Sequence, residues 1–209
     1  MSTLDGISGA QDFKSKFQGD IVDNKCEDYH EARSIWNKDA DKYPHAVVRP
    51  KDIEDVVAAV RFARDAGLLT SLRCGGHSYQ GHSTCDDGIV IDLSTYMGKV
   101  VFDPSQNVVR AQGGALLGNV DRAAVPNGRV TPAGIVSHTG LGGLALGGGI
   151  GYLTRSFGLT CDQFIRLRVV TASGEVVHVS EKRKCRPVLG AARRRRQFRH
   201  RHRFRTAHA

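Results

Sequence analysis

The spacing of apolar residues predicts an amphipathic helix from Asp52 to Ala66. Apolar side chains recur at positions 53, 56, 57, 60 and 63, a spacing that places them on one face of a helix. Asp52 can cap the amino end, and Gly67 can end the helix in a left-handed conformation. The apolar run Leu68–Leu72 follows directly and predicts a strand.

Shorter apolar runs farther along the chain predict further strands. These runs are Ile89–Leu93, Val100–Phe102, Val108–Ala111, Ile165–Thr171 and Glu175–Val179. Turn-forming residues at 103–107 and 172–174 predict two hairpins, and residues 116–124 predict a second helix. Local strand pairing interspersed with helices favours an α+β fold over a doubly wound parallel sheet.

The composition fits a soluble protein with room for one sizeable domain. The chain has 209 residues, 40% of them hydrophobic, and no apolar run approaches the roughly 20 residues of a membrane span. The amino-terminal residues lack the basic and apolar segments of a secretory signal, and the five cysteines include no C-x-x-C pair. We therefore expect reduced thiols, a cytoplasmic location, no membrane partner and no metal site.

The net charge of +9 comes from the carboxyl-terminal end of the chain. Twelve of the 30 Lys and Arg residues lie at or beyond Lys182, where there is no acidic residue. The remaining 18 basic residues face 21 acidic ones, so the preceding part of the chain is mildly acidic. The pattern predicts an acidic domain followed by a basic tail.

Two glycine-rich segments carry the candidate chemistry. Arg73–Ser78 reads Arg-Cys-Gly-Gly-His-Ser, and seven glycines lie between Gly140 and Gly151, interleaved with leucine and isoleucine. Adjacent glycines let backbone N–H groups converge on an anion such as a pyrophosphate, and His77 then supplies a nucleophilic imidazole beside it. Alone, the first segment is more typical of a tight turn with a surface histidine. The second segment favours a binding site, because it is too apolar for a flexible linker.

Several segments of the chain occur together in an order that is typical of one known family. They are Trp36–Asn37, Val47–Pro50, Phe62–Gly67, Arg73–Ser78, Asp87–Ser94, Gly113–Ala115, Ser137–Gly151 and Tyr152–Asp162. In this order they resemble the FAD-binding domain of the p-cresol methylhydroxylase (PCMH) type, most closely the berberine bridge enzyme-like oxidases. The resemblance covers roughly residues 20–180. It implies a two-subdomain α+β fold with FAD extended between the subdomains.

The resemblance also implies a set of FAD-binding residues. They are Arg73, Cys74, Gly75, Gly76, His77, Ser78, Ser137, Thr139, Gly140, Gly143, Gly148, Gly149, Gly151 and Val177. His77 matches the histidine that bonds to the flavin 8α-methyl carbon, and the loop around it faces the pyrophosphate. Many relatives form a second bond through a cysteine, but Val136 stands at the matching position. A single covalent link through His77 is therefore expected.

Four side chains near these motifs leave alternatives open. Arg73 can neutralise a phosphate or form an ordinary salt bridge. His82 and His138 can lie at the edge of a flavin pocket, although a solvent-facing or loop-stabilising role is favoured for both. Cys161 is expected to pack within the protein rather than to bind the cofactor.

The resemblance implies an FAD-dependent oxidoreductase. An intact relative transfers a hydride from a small-molecule substrate to covalently bound FAD and then passes the electrons to oxygen. We divide the chain into a helical or extended lead-in (residues 1–38), an FAD-binding PCMH-type domain (39–181) and a basic tail (182–209) that is expected to be disordered. The family's substrate domain and catalytic base are expected to be missing, so no catalytic residue is predicted here.

The basic tail has two interpretations. If it is genuine, its arginines predict a nucleic-acid-binding protein. We favour an out-of-frame translation that begins near Lys182. For one choice of codons from Arg183 onward, dropping the first base gives ENADLFWALRGGGGNFGIVTDFELRT, a family-like continuation. On this hypothesis the domain is incomplete at its C-terminal end, and the chain as written is weak or inactive as an oxidase.

Overall fold

The computed structural model of the protein describes residues 3–180. The helices in this part are α1 (Ala10–Lys16), α2 (Tyr29–Arg33), α3 (Ile53–Asp65), α4 (Leu117–Ala124), α5 (Leu141–Leu146) and α6 (Thr154–Phe157). The strands are β1 (Asp20–Asp23), β2 (Ala46–Arg49), β3 (Thr70–Arg73), β4 (Ile89–Asp92), β5 (Val100–Asp103), β6 (Val108–Ala111), β7 (Arg166–Val170) and β8 (Val176–Ser180). The basic tail lies outside the described residues. Its predicted disorder, its alternative role in nucleic-acid binding and its out-of-frame origin therefore stay predictions.

A four-stranded sheet in the order β1-β2-β4-β3 forms the central layer. Strands β2 and β3 both pair with β4 in parallel, whereas β1 pairs with β2 in antiparallel orientation. All four residues of β4 are buried, as expected for an interior strand that is covered on both faces. On one face, Phe13 of α1 stacks on Phe62 of α3 with ring centroids 4.5 Å apart. On the other face, Tyr29 of α2 packs against Val47 and Val90.

Helix α3 confirms the amphipathic helix that the spacing of apolar residues predicts. Asp52 accepts a hydrogen bond from the Asp55 amide at 2.9 Å, and Gly67 has the left-handed φ of +64° that ends the helix. The helix connects β2 to β3, and both strands run parallel to β4. The carboxyl ends of the three strands therefore lie at one edge of the sheet, where Arg73 begins the candidate loop.

Two separate antiparallel hairpins complete the described architecture. Strand β5 pairs with β6, and β7 pairs with β8, as the local strand runs predict. Arg61 and Arg64 of α3 donate hydrogen bonds to the carbonyl groups of Gly174 and Ser173, which attaches the β7–β8 turn to the central layer. The mixture of helices, hairpins and a small sheet confirms the α+β class. The parallel pairing of β2, β4 and β3 was not predicted, because these strands are distant in the sequence.

The amino-terminal segment contributes to the same core as the central sheet. Leu4 and Phe13 are buried in one cluster with Val48 and Ile91. The predicted division of the chain after residue 38 stays a prediction. Within residues 3–180, no helix has the length and apolar character needed to cross a bilayer.

Candidate functional site

The Arg73–Ser78 loop starts at the carboxyl edge of the parallel strands. Loops at this edge of neighbouring parallel strands commonly form ligand-binding sites. Gly76 has a positive φ of +66°, a conformation that glycine adopts without strain. The Gly76 carbonyl accepts a hydrogen bond from the Trp36 amide at 3.1 Å. The loop is therefore held against the segment that follows α2.

Arg73 supports this loop from beneath through a buried ion pair. Its Nη2 lies 2.5 Å from Oδ2 of Asp92, the residue opposite it in the β3–β4 register, and both side chains are less than a tenth exposed. Its Nη1 donates to the Ser34 carbonyl at 3.2 Å. Of the two roles left open for Arg73, the geometry shows the salt bridge. A contact between Arg73 and a phosphate stays a prediction.

The two glycine-rich segments meet at Gly75 and Gly140. A Cβ atom at Gly75 would overlap the Gly140 amide nitrogen and lie 2.9 Å from its Cα, and a Cβ at Gly140 would lie 2.7 Å from Cys74 Sγ. Side chains at either position would therefore push the segments apart. The absence of a Cβ at both positions allows main chain to contact main chain, which places the first loop beside the start of the second cluster.

Three consecutive amides of the loop have no acceptor among the described residues. Within residues 3–180, the backbone N–H groups of Gly76, His77 and Ser78 donate no hydrogen bond to another residue. Buried backbone donors are almost always paired in native proteins, and Gly76 is a buried residue. Adjacent amides that converge in a turn form a concave site for an anion. The loop therefore has the donors that a bound phosphate group requires.

His77 lies between Trp36 and His138. The Trp36 ring stacks on the imidazole with centroids 5.5 Å apart and an angle of 17° between planes. The His77 Nε2 lies 2.7 Å from Nδ1 of His138, a hydrogen-bond distance. His138 immediately precedes Thr139 and Gly140, so His77 faces the second glycine segment. Sequence reasoning favoured a solvent-facing or loop role for His138, because nothing in the spacing of 61 residues indicates the contact.

His77 is expected to be neutral at neutral pH. Burial, and to a smaller extent His138, lowers the pKa of His77 below its ordinary value of 6.5. As the pH falls through 6.5, the unfolded chain takes up this proton before the folded chain does, so the free energy of unfolding decreases until the lowered pKa is passed. A histidine NMR titration should give a midpoint for His77 below 6.5. A midpoint at or above 6.5 would contradict this reading of the site.

The other predicted FAD-binding residues near Gly75 and Gly140 form hydrogen bonds with neighbouring segments. Cys74 donates from Sγ to the Ala115 carbonyl at 3.3 Å, and burial raises the pKa of its thiol. The Ser78 hydroxyl oxygen accepts a hydrogen bond from the His82 amide. Ser137 and Thr139 accept backbone hydrogen bonds from the first residues of α4. These residues shape the site, and their contact with FAD stays a prediction.

The later glycines of the second cluster form hydrogen bonds with residues between Thr154 and Cys161. The Gly148 and Gly149 carbonyls accept from the amides of Cys161 and Thr160, and the Gly151 amide donates to the Thr154 hydroxyl. At Gly143 in α5, an added Cβ would have no atom within 4 Å apart from the backbone of its own helix and its chain neighbours.

Val177 is the member of the predicted set that lies in a strand. It pairs with Val169 in the β7–β8 hairpin. Its predicted role in binding FAD stays a prediction.

A large cavity lies elsewhere in the described structure. It has a volume of about 750 Å³ and lies between the β5–β6 and β7–β8 hairpins and α4. No residue of the Arg73–Ser78 loop lines it. We place the candidate site at the loop rather than in this cavity, because the unpaired amides and the two contacting imidazoles are at the loop.

Comparison with known proteins identifies the family of the chain. Residues 44–180 match the family of FAD binding domains. An FAD-linked oxidoreductase of Dictyostelium discoideum is 38% identical over 171 residues, which make up 81% of this chain and 37% of that protein. The chain therefore spans a little over a third of the length of this relative.

Solved structures show the same fold. A glucooligosaccharide oxidase of Acremonium strictum, whose flavin is a 6-S-cysteinyl, 8α-N1-histidyl FAD, superposes with a TM-score of 0.76 and 32% identity, covering 87% of this chain and 37% of that one. A BBE-like protein of Physcomitrella patens superposes with a TM-score of 0.77 and 30% identity, covering 86% and 38%. The resemblance to PCMH-type domains and berberine bridge enzyme-like oxidases is thus confirmed.

Proposed function

We propose that this chain, which belongs to the family of FAD-binding domains of FAD-linked oxidoreductases, binds FAD with its diphosphate against the Arg73–Ser78 loop and its flavin ring beside His77. The observation that carries the proposal is the contact of Gly75 with Gly140 next to the paired imidazoles of His77 and His138. This contact brings an anion site and a nucleophile together.

The backbone of the loop fits a diphosphate. The amides of Gly76, His77 and Ser78 have no acceptor within residues 3–180, and hydrogen bonds to a charged oxygen are stronger than those to neutral acceptors. The positive φ of Gly76 lets the loop turn without strain, and the contact of Gly75 with Gly140 holds the loop against the second glycine segment. The buried Arg73–Asp92 pair holds the start of this loop in place from below.

His77 is the residue that we propose as the single covalent attachment point. Its lowered pKa keeps the imidazole neutral and nucleophilic at neutral pH. Val136 offers no sulfur for a second bond, and burial raises the pKa values of the Cys74 and Cys161 thiols, which keeps both protonated. The structural relative from Acremonium carries a histidyl link together with a cysteinyl one. We expect only the histidyl link here.

The proposed activity of the whole protein is that of an oxidase. FAD supplies a hydride acceptor when it is bound, and oxygen is proposed to reoxidise it. Residues 3–180 bind the cofactor and orient it. The lowered pKa of His77 keeps its imidazole neutral. The substrate class and the catalytic base are not assigned to any residue of this part.

Absorbance spectroscopy tests the proposal. The purified full chain, reconstituted with FAD, should show a flavin spectrum that persists in the protein after acid precipitation. FAD should also bind more tightly than riboflavin by at least about tenfold, because riboflavin has no diphosphate to contact the loop. A folded protein that retains no flavin absorbance after incubation with excess FAD would contradict the proposed cofactor site. Equal affinity for FAD and riboflavin would also contradict it.

A further inference from the structure

Trp36 is a large aromatic residue that is 61% exposed. Within the described part of the chain, its indole makes its one aromatic contact with His77. We propose that Trp36 is a positioning residue: its indole covers one face of the His77 imidazole and holds that ring in a single orientation at the candidate site. The inference rests on the proposed covalent attachment, and it adds the residue that orients the attacking side chain.

Hydrogen bonds of the backbone and of a neighbouring side chain fix the place of the indole. The Trp36 amide donates to the Gly76 carbonyl at 3.1 Å, and the Asn37 side chain donates to the Tyr79 carbonyl at 2.8 Å. Residues 36 and 37 are therefore bonded to the loop on both sides of His77. Neither bond involves the indole, so its removal should leave the backbone of the loop in place.

The stacked arrangement restricts a torsion that histidine itself leaves free. The planes of the two rings are 17° apart and their centroids are separated by 5.5 Å, which lies in the favourable range for offset aromatic pairs. The χ2 torsion of a histidine side chain has broad minima, so the rotamer alone does not fix the ring plane of His77. The indole limits this rotation and excludes water from one face of the imidazole.

His138 contacts the same imidazole from a second direction. Its ring is tilted by 44° from that of His77 with centroids 4.7 Å apart, and among residues 3–180 it is the titratable group that faces His77. Burial is the larger cause of the lowered pKa of His77, and His138 is the smaller one. Because the indole supplies part of this burial, Trp36 helps to keep the imidazole in its neutral, nucleophilic form.

Trp36 takes no part in the bond changes of the attachment. An N–C bond forms between His77 and the 8α methyl carbon as one C–H bond of that methyl group and the N–H bond of the imidazole break. Oxygen, the proposed acceptor, takes up the two electrons and two protons that are released, as hydrogen peroxide. The contribution of Trp36 is orientation, and rate is lost when a reacting group leaves its productive geometry.

The cofactor-free full chain tests the contact between the rings. Trp36 is the single tryptophan of the chain, and a protonated imidazole quenches indole emission. The emission should therefore decrease as the pH falls, with a midpoint below 6.5, and this step should be absent in His77→Ala. A step that persists in His77→Ala would show that the indole contacts another titrating group, and it would overturn the proposal.

A histidine NMR titration of two variants tests the shielding of His77. In Trp36→Ala, the midpoint for His77 should rise toward 6.5, because water reaches the uncovered face. In Trp36→Phe, the midpoint should stay low, because a phenyl ring also stacks on imidazole. An unchanged midpoint in Trp36→Ala would overturn the proposal, whether or not the protein binds FAD.

Covalent incorporation tests the consequence for reactivity. Trp36→Ala should slow the appearance of acid-stable flavin by roughly threefold to tenfold, the loss expected from one aromatic pair, and Trp36→Phe should restore most of the rate. Non-covalent affinity for FAD, measured in a His77→Ala background, should not change, since the loop amides do not depend on the indole. The matched control is Tyr96→Ala, which removes an exposed aromatic ring that contacts Asp20 and Lys51.

The two proposals fail in different ways. If neither the parent chain nor any variant binds FAD, the proposed function fails, and the two titrations still decide whether Trp36 holds His77. If flavin attaches to the parent chain but Trp36→Ala incorporates it at the same rate, the positioning role of Trp36 fails alone. The same conclusion follows if Trp36→Phe is as slow as Trp36→Ala.

Discussion

His77→Ala is expected to remove all acid-stable flavin from the protein while leaving the fold intact. The methyl group of alanine cannot bond to the 8α carbon, and within residues 3–180 the nearby thiol of Cys74 is kept protonated by burial. His77 is only half-buried, and its partners Trp36 and His138 are themselves exposed. We therefore expect a change of about 1 kcal/mol or less in the free energy of unfolding.

In-gel flavin fluorescence after denaturation measures the covalent fraction, and equilibrium denaturation measures stability. Non-covalent FAD binding should persist in His77→Ala, because the loop amides do not depend on the imidazole. His82→Ala serves as the control and should retain the covalent flavin. Fluorescence that remains at the parent level in His77→Ala would show that a different residue holds the cofactor.

Asp92→Ala is expected to produce the largest loss of stability. The substitution leaves the Arg73 guanidinium buried without its counter-charge, a change that costs about 3–5 kcal/mol. Asp92 Oδ1 also accepts hydrogen bonds from the Ser94 amide and hydroxyl at 3.0 and 2.7 Å. Since a typical domain is stable by only about 5–15 kcal/mol, the variant should unfold at much lower denaturant concentration. Because Arg73 begins the Arg73–Ser78 loop, the affinity for FAD should also decrease in this variant.

Two comparisons separate the buried charge from other effects. Replacing both partners, as Arg73→Met with Asp92→Leu, should be less destabilising than Asp92→Ala, because no unpaired charge remains. Arg110→Met removes the Arg110–Asp103 pair, in which the arginine side chain is 55% exposed, and should be much less destabilising than Asp92→Ala, because exposed ion pairs are screened by solvent. Denaturation curves in which Asp92→Ala and Arg110→Met are equally destabilising would refute the supporting role of the buried pair.

Sequence reasoning was correct where the signal is contained in neighbouring residues. The helix α3 follows from apolar spacing and its capping residue, and the hairpins follow from strand runs on either side of a turn. The glycine-rich segments and His77 also stand out locally. The close approach of the two segments at Gly75 and Gly140 is observed, and the nucleophilic role of His77 stays a prediction. The order of these motifs was enough to indicate the family.

Only the tertiary structure decided which groups contact one another at the site. The parallel order of β2, β4 and β3 brings Arg73 opposite Asp92, so that the two side chains form a buried ion pair. Gly75 contacts Gly140, and His77 bonds to His138, across more than 60 residues of chain. Residue type and spacing describe one segment at a time, whereas these contacts depend on how distant segments pack.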